Sequence, residues 1–268
     1  MRLELAAFGK ASPSRKRWFD FLYYTTNAVF CHLLFYGKTG FSEKFTISLA
    51  KTLQMRYNMG NNDIQVGDLM KKDLLYRLFF HIPTLKTDRL TLRGMCVSDA
   101  PDMYEYACRP SVTEYLTWEP HASVEETRAY LTYVGQRYRT GDFYDWALIS
   151  RDDGRMIGTC GFTSFNCPAD SAEIGYVLNP AYQGQGLATE AVRRVMRFGF
   201  EELSLHRVEA HFMEGNHASR RLMERVGMTF EGFAREAMKI KGKYRTVGTC
   251  AILKNEFWEC KGEPLLSE

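Results

Sequence analysis

The chain has 268 residues, of which 45% are hydrophobic and 25% are charged, a composition that is ordinary for a soluble globular protein. The net charge of +3 does not by itself indicate a nucleic-acid-binding protein. The seven cysteines include no C-x-x-C pair, and the six histidines form no H-E-x-x-H pattern. We therefore expect a cytoplasmic protein with reduced thiols and no metal site.

The N-terminal residues 1–81 differ from the rest of the chain, because they carry twice as many basic as acidic residues. An apolar run over 18–36 could be a buried helix, and residues 46–57 and 68–80 have helical spacing. We therefore predict a mainly helical extension, which could be a small domain, a dimerisation element or a basic segment that docks on the ribosome or another protein. Met70 could instead mark the true start, so that everything before it would be a leader without a fold. The sequence leaves these alternatives open.

The run over 18–36 follows a basic triplet, as the apolar part of a secretory signal would. No small-residue cleavage site follows it, however, and the run is too polar for a membrane-spanning helix. We therefore expect no membrane span. The polar residues that interrupt the run are Asp20, Asn27 and His32.

From residue 82 onward, strand patterns and helix patterns follow one another, and they predict one α+β domain over 82–260 with a short tail over 261–268. Two helices are expected behind the N-capping residues Asp99 and Ser123, the latter in a Ser-x-x-Glu capping box. The predicted strands cover 87–93, 143–150, 155–165, 171–178, 207–213, 228–238 and 246–254. The predicted helices begin at residues 100, 123, 187 and 217, and the last three end near residues 138, 203 and 226.

The most informative stretch is a glycine-rich turn between a predicted strand and a predicted helix. Asn179 and Pro180 end the strand, because proline has no N–H for a sheet ladder. Gly184 and Gly186 then allow a tight turn, and apolar residues recur with helical spacing from Leu187 onward. Free N–H groups at the positive end of a helix dipole bind phosphate. The turn therefore predicts a phosphate site.

The sequence of this turn narrows the class of phosphate ligand. No Lys-Ser or Lys-Thr follows the glycines, which excludes a nucleoside-triphosphate loop. Thr189 stands where a dinucleotide-binding fingerprint needs its third glycine. The remaining pattern, Q-x-x-G-x-A over 183–188, resembles the pyrophosphate loop of the GCN5-related N-acetyltransferases (GNAT), which bind acetyl-CoA.

Three further stretches resemble the RimJ/RimL branch of this family. They are LKTDRLTLR at 85–93, EIGYVLNP at 173–180 and NHASRRLMERVGM at 216–228, in which Met228 replaces the usual aromatic residue. Together with the turn they follow the family's order and spacing over residues 82 to 259. The resemblance implies a mixed, mostly antiparallel central sheet flanked by helices, with acetyl-CoA as co-substrate and no metal.

The resemblance also implies where acetyl-CoA binds. Backbone groups of Val177 and Leu178, exposed by a splay or bulge in the sheet, are expected to hold the pantetheine arm together with Asn216. Ser219 is expected near the thioester. The residues expected at the pyrophosphate are Gln183, Gly184, Gln185, Gly186, Leu187, Ala188 and Thr189.

The candidate catalytic residues are Glu173 and Ser219. Glu173 could take the proton of the acceptor amine, directly or through water, or it could be a solvated side chain on the sheet. Ser219 could donate to the leaving sulfur, or it could satisfy backbone groups in the first turn of a helix. Met223 occupies the position at which many relatives have a tyrosine acid, and Met238 the position of a RimL-like base.

The resemblance implies an N-acetyltransferase that acts on a primary amine. A protein N-terminal α-amine, as in ribosomal proteins, is the expected acceptor, because a pKa of about 8 demands only a weak base. Trp118 and Glu119 lie in a loop that resembles the substrate side of the family. A small amine or an antibiotic amine is an alternative acceptor, and a homodimer is an open alternative for the assembly. A second alternative function is a non-catalytic acyl-CoA-binding module that docks through the basic residues 1–81.

Overall fold

The structure is a computed structural model that describes residues 66–259, with side chains from residue 72 onward. These residues belong to one compact unit that begins at Ile64. The helices expected at 18–36 and 46–57, and the tail expected at 261–268, lie outside the described residues.

The helices and strands expected between residues 68 and 254 follow one another in the predicted order. The short helices at 110–113 and 254–259 were not predicted, and the strand predicted over 87–93 is replaced by two short strands, at 85–86 and 90–93. The strands are β1 (Leu85–Lys86), β2 (Leu90–Arg93), β3 (Tyr144–Ser150), β4 (Met156–Asn166), β5 (Ser171–Leu178), β6 (Arg207–Met213), β7 (Thr229–Ile240) and β8 (Lys243–Leu253). The helices are α1 (Val66–Phe80), α2 (Ala100–Ala107), α3 (Pro110–Thr113), α4 (Val124–Arg139), α5 (Leu187–Glu201), α6 (His217–Arg225) and α7 (Lys254–Glu259).

The eight strands of the described chain form one sheet in the spatial order β1-β2-β3-β4-β5-β6-β8-β7. Neighbouring strands are antiparallel except for β5 and β6, which are parallel. Helix α5 connects these two strands, because a parallel pair requires a crossover connection. The predicted α+β class, with a mostly antiparallel sheet flanked by helices, is confirmed.

Helices cover both faces of the sheet. Trp146 and Leu148 on β3 belong to a core with α1, α5, α6 and α7, whereas Ala147 between them belongs to a second core with α2 and α4. Because successive side chains of a strand point to opposite faces, the two cores lie on opposite sides of the sheet. We call these sides the α5/α6 face and the α2/α4 face.

Helix α1 completes the core of the α5/α6 face. Phe79 is fully buried, and its ring centroid lies 5.4 Å from that of Trp146. Leu75, one turn earlier, is buried in the same core. The helix predicted there is confirmed. The compact unit therefore begins at Ile64, ahead of the boundary at residue 82 that the sequence pattern suggested.

The two predicted N-capping residues behave differently. The hydroxyl of Ser123 caps α4, because it accepts a hydrogen bond of 3.2 Å from the N–H of Glu126. Asp99 precedes α2 as predicted but makes no capping bond with its side chain. Its carboxylate instead forms a bidentate pair with Arg93, at 2.7 and 2.8 Å. The two parallel donors of the guanidinium make this geometry a strong alternative to capping.

Candidate active site

Strands β5 and β6 separate in the middle of the sheet. They pair only from Ser171 to Glu173, although both strands continue beyond this point. Opposite the end of the pairing, β4 has a register shift between Phe162 and Ser164, a bulge of the kind that bends a strand. Of the two alternatives expected near Val177 and Leu178, the splay is present, because both residues lie beyond the end of the β5–β6 pairing. The bulge lies on β4, away from these two residues.

The open edge of β5 presents the backbone of Tyr176 and Leu178 rather than that of Val177. The N–H of Asn179 donates to the carbonyl of Ile157 on β4 at 2.7 Å. Residues that bond to the neighbouring strand alternate along an antiparallel pair, so the backbone of Val177 faces β4. The expected backbone contact of Val177 with the pantetheine arm stays a prediction that this backbone orientation does not favour.

The glycine-rich turn after β5 keeps a row of amide groups open. Gly184 and Gly186 have φ angles of +77° and +79°, a region that glycine adopts without steric cost. Among the described residues, no acceptor bonds to the N–H groups from Gly184 to Thr189, and the first helical bond of α5 comes from Glu190. These amides surround the start of α5, where the helix dipole is positive.

Gln183 stabilises the turn through its own hydrogen bonds, so its N–H is not one of the open amides. Its N–H donates to the carbonyl of Pro180 at 3.2 Å, and its side-chain amide donates to the carbonyl of Leu178 at 3.2 Å. The open row of amides therefore begins one residue later than the sequence analysis expected, at Gly184.

Arg89 lies beside this turn, and the sequence analysis missed it. Its guanidinium donates to the carbonyl of Gln185 at 2.8 Å and to the carboxylate of Glu190 at 2.7 Å. Because C=O and N–H point in opposite directions across a trans peptide, the first bond turns the N–H of Gly186 away from Arg89. Arg89 and Glu190 are 101 positions apart, so no local pattern could have indicated this contact.

Glu173 and His211 form a hydrogen-bonded pair where β5 and β6 separate. The Nδ1 of His211 lies 3.1 Å from Oε1 of Glu173, and the hydroxyl of Ser164 donates to Oε2 at 3.4 Å. The bond from His211 lowers the pKa of Glu173 despite burial, and the same bond raises the pKa of His211. The sequence analysis found Glu173 but missed His211, because strand pairing rather than sequence spacing brings them together.

The start of α6 holds two predicted residues against β5. Asn216 caps the helix, because its Oδ1 accepts a bond of 3.1 Å from the N–H of Ser219. The hydroxyl oxygen of Ser219 lies 2.8 Å from that of Tyr176. Burial raises the pKa of Tyr176, so its phenol keeps the proton. Tyr176 was not among the predicted site residues, although it stands between two of them.

The two methionines at expected catalytic positions have different surroundings. Met223 is only 2% exposed and packs in the core of the α5/α6 face. Met238 is 41% exposed, on β7 beyond a register shift with β8. Neither offers a titratable group, so an acid or base must come from other residues.

The loop with Trp118 and Glu119 lies on the α2/α4 face. Trp118 packs against the core of that face, with its ring centroid 5.4 Å from that of His121. The exposed carboxylate of Glu119 lies 3.6 Å from the Nζ of Lys241, in the turn between β7 and β8. Lys241 also donates to the carbonyl of Thr113 at 2.7 Å. The turn between β7 and β8 therefore reaches this loop.

Within residues 66–259, no group of three or more His, Cys, Asp or Glu side chains is arranged to hold a metal ion. In the same part of the chain, no helix combines the length and the apolar character needed to cross a membrane.

A sheet that opens beside a row of unpaired amides suits an acyl-coenzyme A, because a diphosphate can bind the amides while the thioester reaches the gap. This arrangement is that of a protein that binds an acyl-coenzyme A. Residues 89–229, more than half of the chain, match the model of the acetyltransferase (GNAT) domain family. The chain belongs to this family.

Relatives and solved structures agree with this assignment. The chain is 34% identical over 174 residues to the uncharacterized N-acetyltransferase p20 of Bacillus licheniformis, over 65% of this chain and 98% of the relative. It is 27% identical over 168 residues to the ribosomal protein uS5-alanine N-acetyltransferase of Escherichia coli strain K12, over 60% of this chain and 86% of the relative. A GNAT acetyltransferase structure from Bacillus anthracis matches with a TM-score of 0.58 and 27% identity, covering 65% of this chain and 99% of the other. The ribosomal L7/L12 α-N-protein acetyltransferase RimL, solved with coenzyme A, shares the fold with a TM-score of 0.56 and 23% identity, over 64% of this chain and 98% of the other.

The protein is therefore an N-acetyltransferase of the GNAT family, with acetyl-CoA as its co-substrate. The residues present fit this co-substrate, because a side chain added at Gly184 would meet only open space and the guanidinium of Arg89 lies beside Gly186. When bound, acetyl-CoA supplies an activated acetyl group to an amine.

Proposed function

We propose that the protein acetylates the α-amine of a protein N-terminus, of the ribosomal-protein type. The observation that carries the proposal is the Glu173–His211 pair at the strand separation, because a histidine held by a carboxylate can serve as a weak base. An α-amine has a pKa of about 8 and is often neutral at physiological pH, whereas a lysine amine has a pKa of about 10.4. The Escherichia coli relative, whose name gives an alanine of ribosomal protein uS5 as the acceptor, supports a ribosomal-protein acceptor.

The coenzyme binds along β5 and the start of α5. Its diphosphate accepts hydrogen bonds from the amides of Gly184 to Thr189, and Arg89, which is paired with Glu190, holds the turn in place through the carbonyl of Gln185. Its pantetheine arm follows the open edge of β5, where the backbone of Tyr176 and Leu178 offers donors and acceptors. Asn216 borders the arm from the side of α6.

The acceptor approaches from the α2/α4 face. The loop with Trp118 and Glu119 and the turn with Lys241 border this approach. The side chain of Glu119 is 71% exposed, although its carboxylate lies 3.6 Å from the Nζ of Lys241, so it can attract the ammonium group of an incoming peptide. Ser219 donates a hydrogen bond to the departing sulfur, which stabilises the developing charge.

A thiol-release assay with acetyl-CoA tests the acceptor class. The panel contains peptides with free N-terminal alanine or serine, the same peptides with a blocked N-terminus and an internal lysine, and polyamines. We expect turnover on the free N-termini and none on the blocked peptides.

The other outcomes of this assay decide between the alternatives. Turnover on polyamines alone would replace the protein acceptor by a small amine. Binding of coenzyme A without turnover on any amine would contradict the acetyltransferase proposal for this chain and favour a non-catalytic module.

We also propose that the basic residues ahead of the compact unit dock the enzyme on its macromolecular substrate. Their excess of positive charge suits the phosphates of ribosomal RNA. Docking would bring the acceptor protein close to the active site and would not change the reaction that takes place there.

A further inference from the structure

His211 lies on β6 two residues beyond Glu209, the last residue of β6 that pairs with β5. Its neighbours Ala210 and Phe212 are buried in the core of the α5/α6 face. Because side chains alternate along a strand, His211 projects on the α2/α4 face, where the strands have just separated. The side chains of His211 and Glu173 are 33% and 29% exposed to solvent. A proton bound there can therefore pass to water.

The contact with Glu173 decides which ring nitrogen of His211 carries the proton. The Nδ1 donates to the carboxylate across 3.1 Å. In the neutral ring the remaining lone pair is then on Nε2. This nitrogen is the one that can accept a proton from a substrate.

We propose that His211 is a catalytic residue that takes the proton of the acceptor amine on Nε2, while Glu173 is a positioning residue that holds the ring through Nδ1. As the amine nitrogen bonds to the acetyl carbon, the carbon–sulfur bond breaks and its electron pair leaves on sulfur. The surplus proton on nitrogen passes to Nε2 and then to water. This role rests on the proposed function, because it requires an amine acceptor.

Glu173 is the weaker candidate for the base. Both of its carboxylate oxygens already accept hydrogen bonds, from His211 and from Ser164. These bonds favour the ionised carboxylate and lower its pKa. An ammonium group with a pKa of about 8 transfers its proton less readily to such a carboxylate than to an imidazole with a pKa above about 6.5.

The charged groups around His211 come from β5 and β6. The hydrogen bond with Glu173 has the largest effect and raises the pKa of His211, burial opposes it, and the charge of Glu173 again raises it. Glu209 also raises this pKa and Arg207 lowers it. The partner of His211 on β8 is Thr249, which does not titrate in this range.

The pH profile of kcat tests the proposal, measured on the full chain and on the His211→Gln and Glu173→Gln variants. In the unchanged protein, kcat should fall as the pH drops through the raised pKa of His211, because only the neutral ring accepts a proton. His211→Gln should lower kcat by about 100-fold or more and remove this limb. Glu173→Gln should lower kcat and move the limb to lower pH, because the carboxylate that raises the pKa is gone.

His206, an exposed histidine directly before β6, offers a matched control. His206→Gln should keep the kcat and the pH profile of the unchanged protein. Thermal stabilisation of His211→Gln by coenzyme A checks that this variant retains its fold and coenzyme site.

Two results would overturn the role of His211. One is a His211→Gln variant that binds coenzyme A and keeps both kcat and the acidic limb. The other is a Glu173→Gln variant in which kcat falls at the same acidic pH as in the unchanged protein. This second result overturns the role of His211 even if the His211→Gln variant fails to fold. If instead the unchanged protein shows no turnover on any amine, the proposed function itself is wrong. That result can be told apart from the two results above.

Discussion

The hydroxyl oxygens of Tyr176 and Ser219 lie 2.8 Å apart, although the residues are 43 positions apart in the chain. The phenol has one proton, and the backbone carbonyl of Ser219, 3.2 Å away, competes with the hydroxyl for it. When the phenol donates to the hydroxyl oxygen, the proton of Ser219 is free to bond to another acceptor. A tyrosine hydroxyl thus reaches the start of α6 from β5, while Met223 stands at the position on α6 where relatives have a tyrosine.

At this scale we expect Tyr176→Phe to lower kcat by about tenfold, or about 1.4 kcal/mol, because Ser219 loses the group that orients it. In a Ser219→Ala background the same change should add almost nothing. Tyr244→Phe, at a residue that is 64% exposed, is the control and should keep the kcat of the unchanged protein. Steady-state kinetics of the single and double variants would contradict a shared role if the two losses were additive.

At the scale of the element, helix α1 contributes to the core although it precedes the family motifs. The ring of Phe79 is fully buried and lies 4.8 Å from that of Tyr144 and 6.2 Å from that of Phe198. Such edge-to-face contacts add to the free energy of burial. The next residue, Phe80, is 39% exposed, so the two rings form a natural comparison.

We expect Phe79→Ala to lower the free energy of unfolding by about 3–5 kcal/mol, because it removes a buried ring and leaves a cavity. Phe80→Ala should cost less than about 1 kcal/mol, because its ring is partly in water already. Denaturant unfolding of the full chain measures both changes. Equal losses would show that α1 does not belong to the core.

The strand patterns were reliable where one face of the strand is buried. Strands β5 and β6 have the bounds that alternation predicts, since their buried positions recur every second residue. Strands β7 and β8 extend further toward their shared turn than predicted, to Ile240 and from Lys243. Most residues there are exposed on both faces, so cross-strand pairing holds them without an apolar pattern.

At the scale of the whole molecule, the basic residues ahead of Ile64 should matter for the partner rather than for the chemistry. We expect the full chain to bind a ribosomal RNA fragment with an affinity that falls as the salt concentration rises. A chain that starts at Ile64 should lose this binding and keep its turnover on a short peptide, because the compact unit is complete. Filter binding at several salt concentrations measures the first effect. Equal binding by the two chains would contradict docking.

By itself, the sequence determined the family resemblance, the α+β class and the glycine-rich turn, whose phosphate binding stays a prediction. The strand, the glycines and the helix start of that turn are contiguous, so local rules of hydrogen bonding and backbone conformation were sufficient. Glu173, Ser219 and Asn216 were found because they stand inside such contiguous stretches. Their roles in catalysis and coenzyme binding stay predictions.

Only the tertiary structure decided which groups meet across the site. It brings Arg89 to Gln185, His211 to Glu173 and the phenol of Tyr176 to Ser219, and it turns the backbone of Val177 toward β4. The physical reason is that each of these contacts depends on strand register or on the packing of elements far apart in the chain. No spacing within a single stretch carries that information.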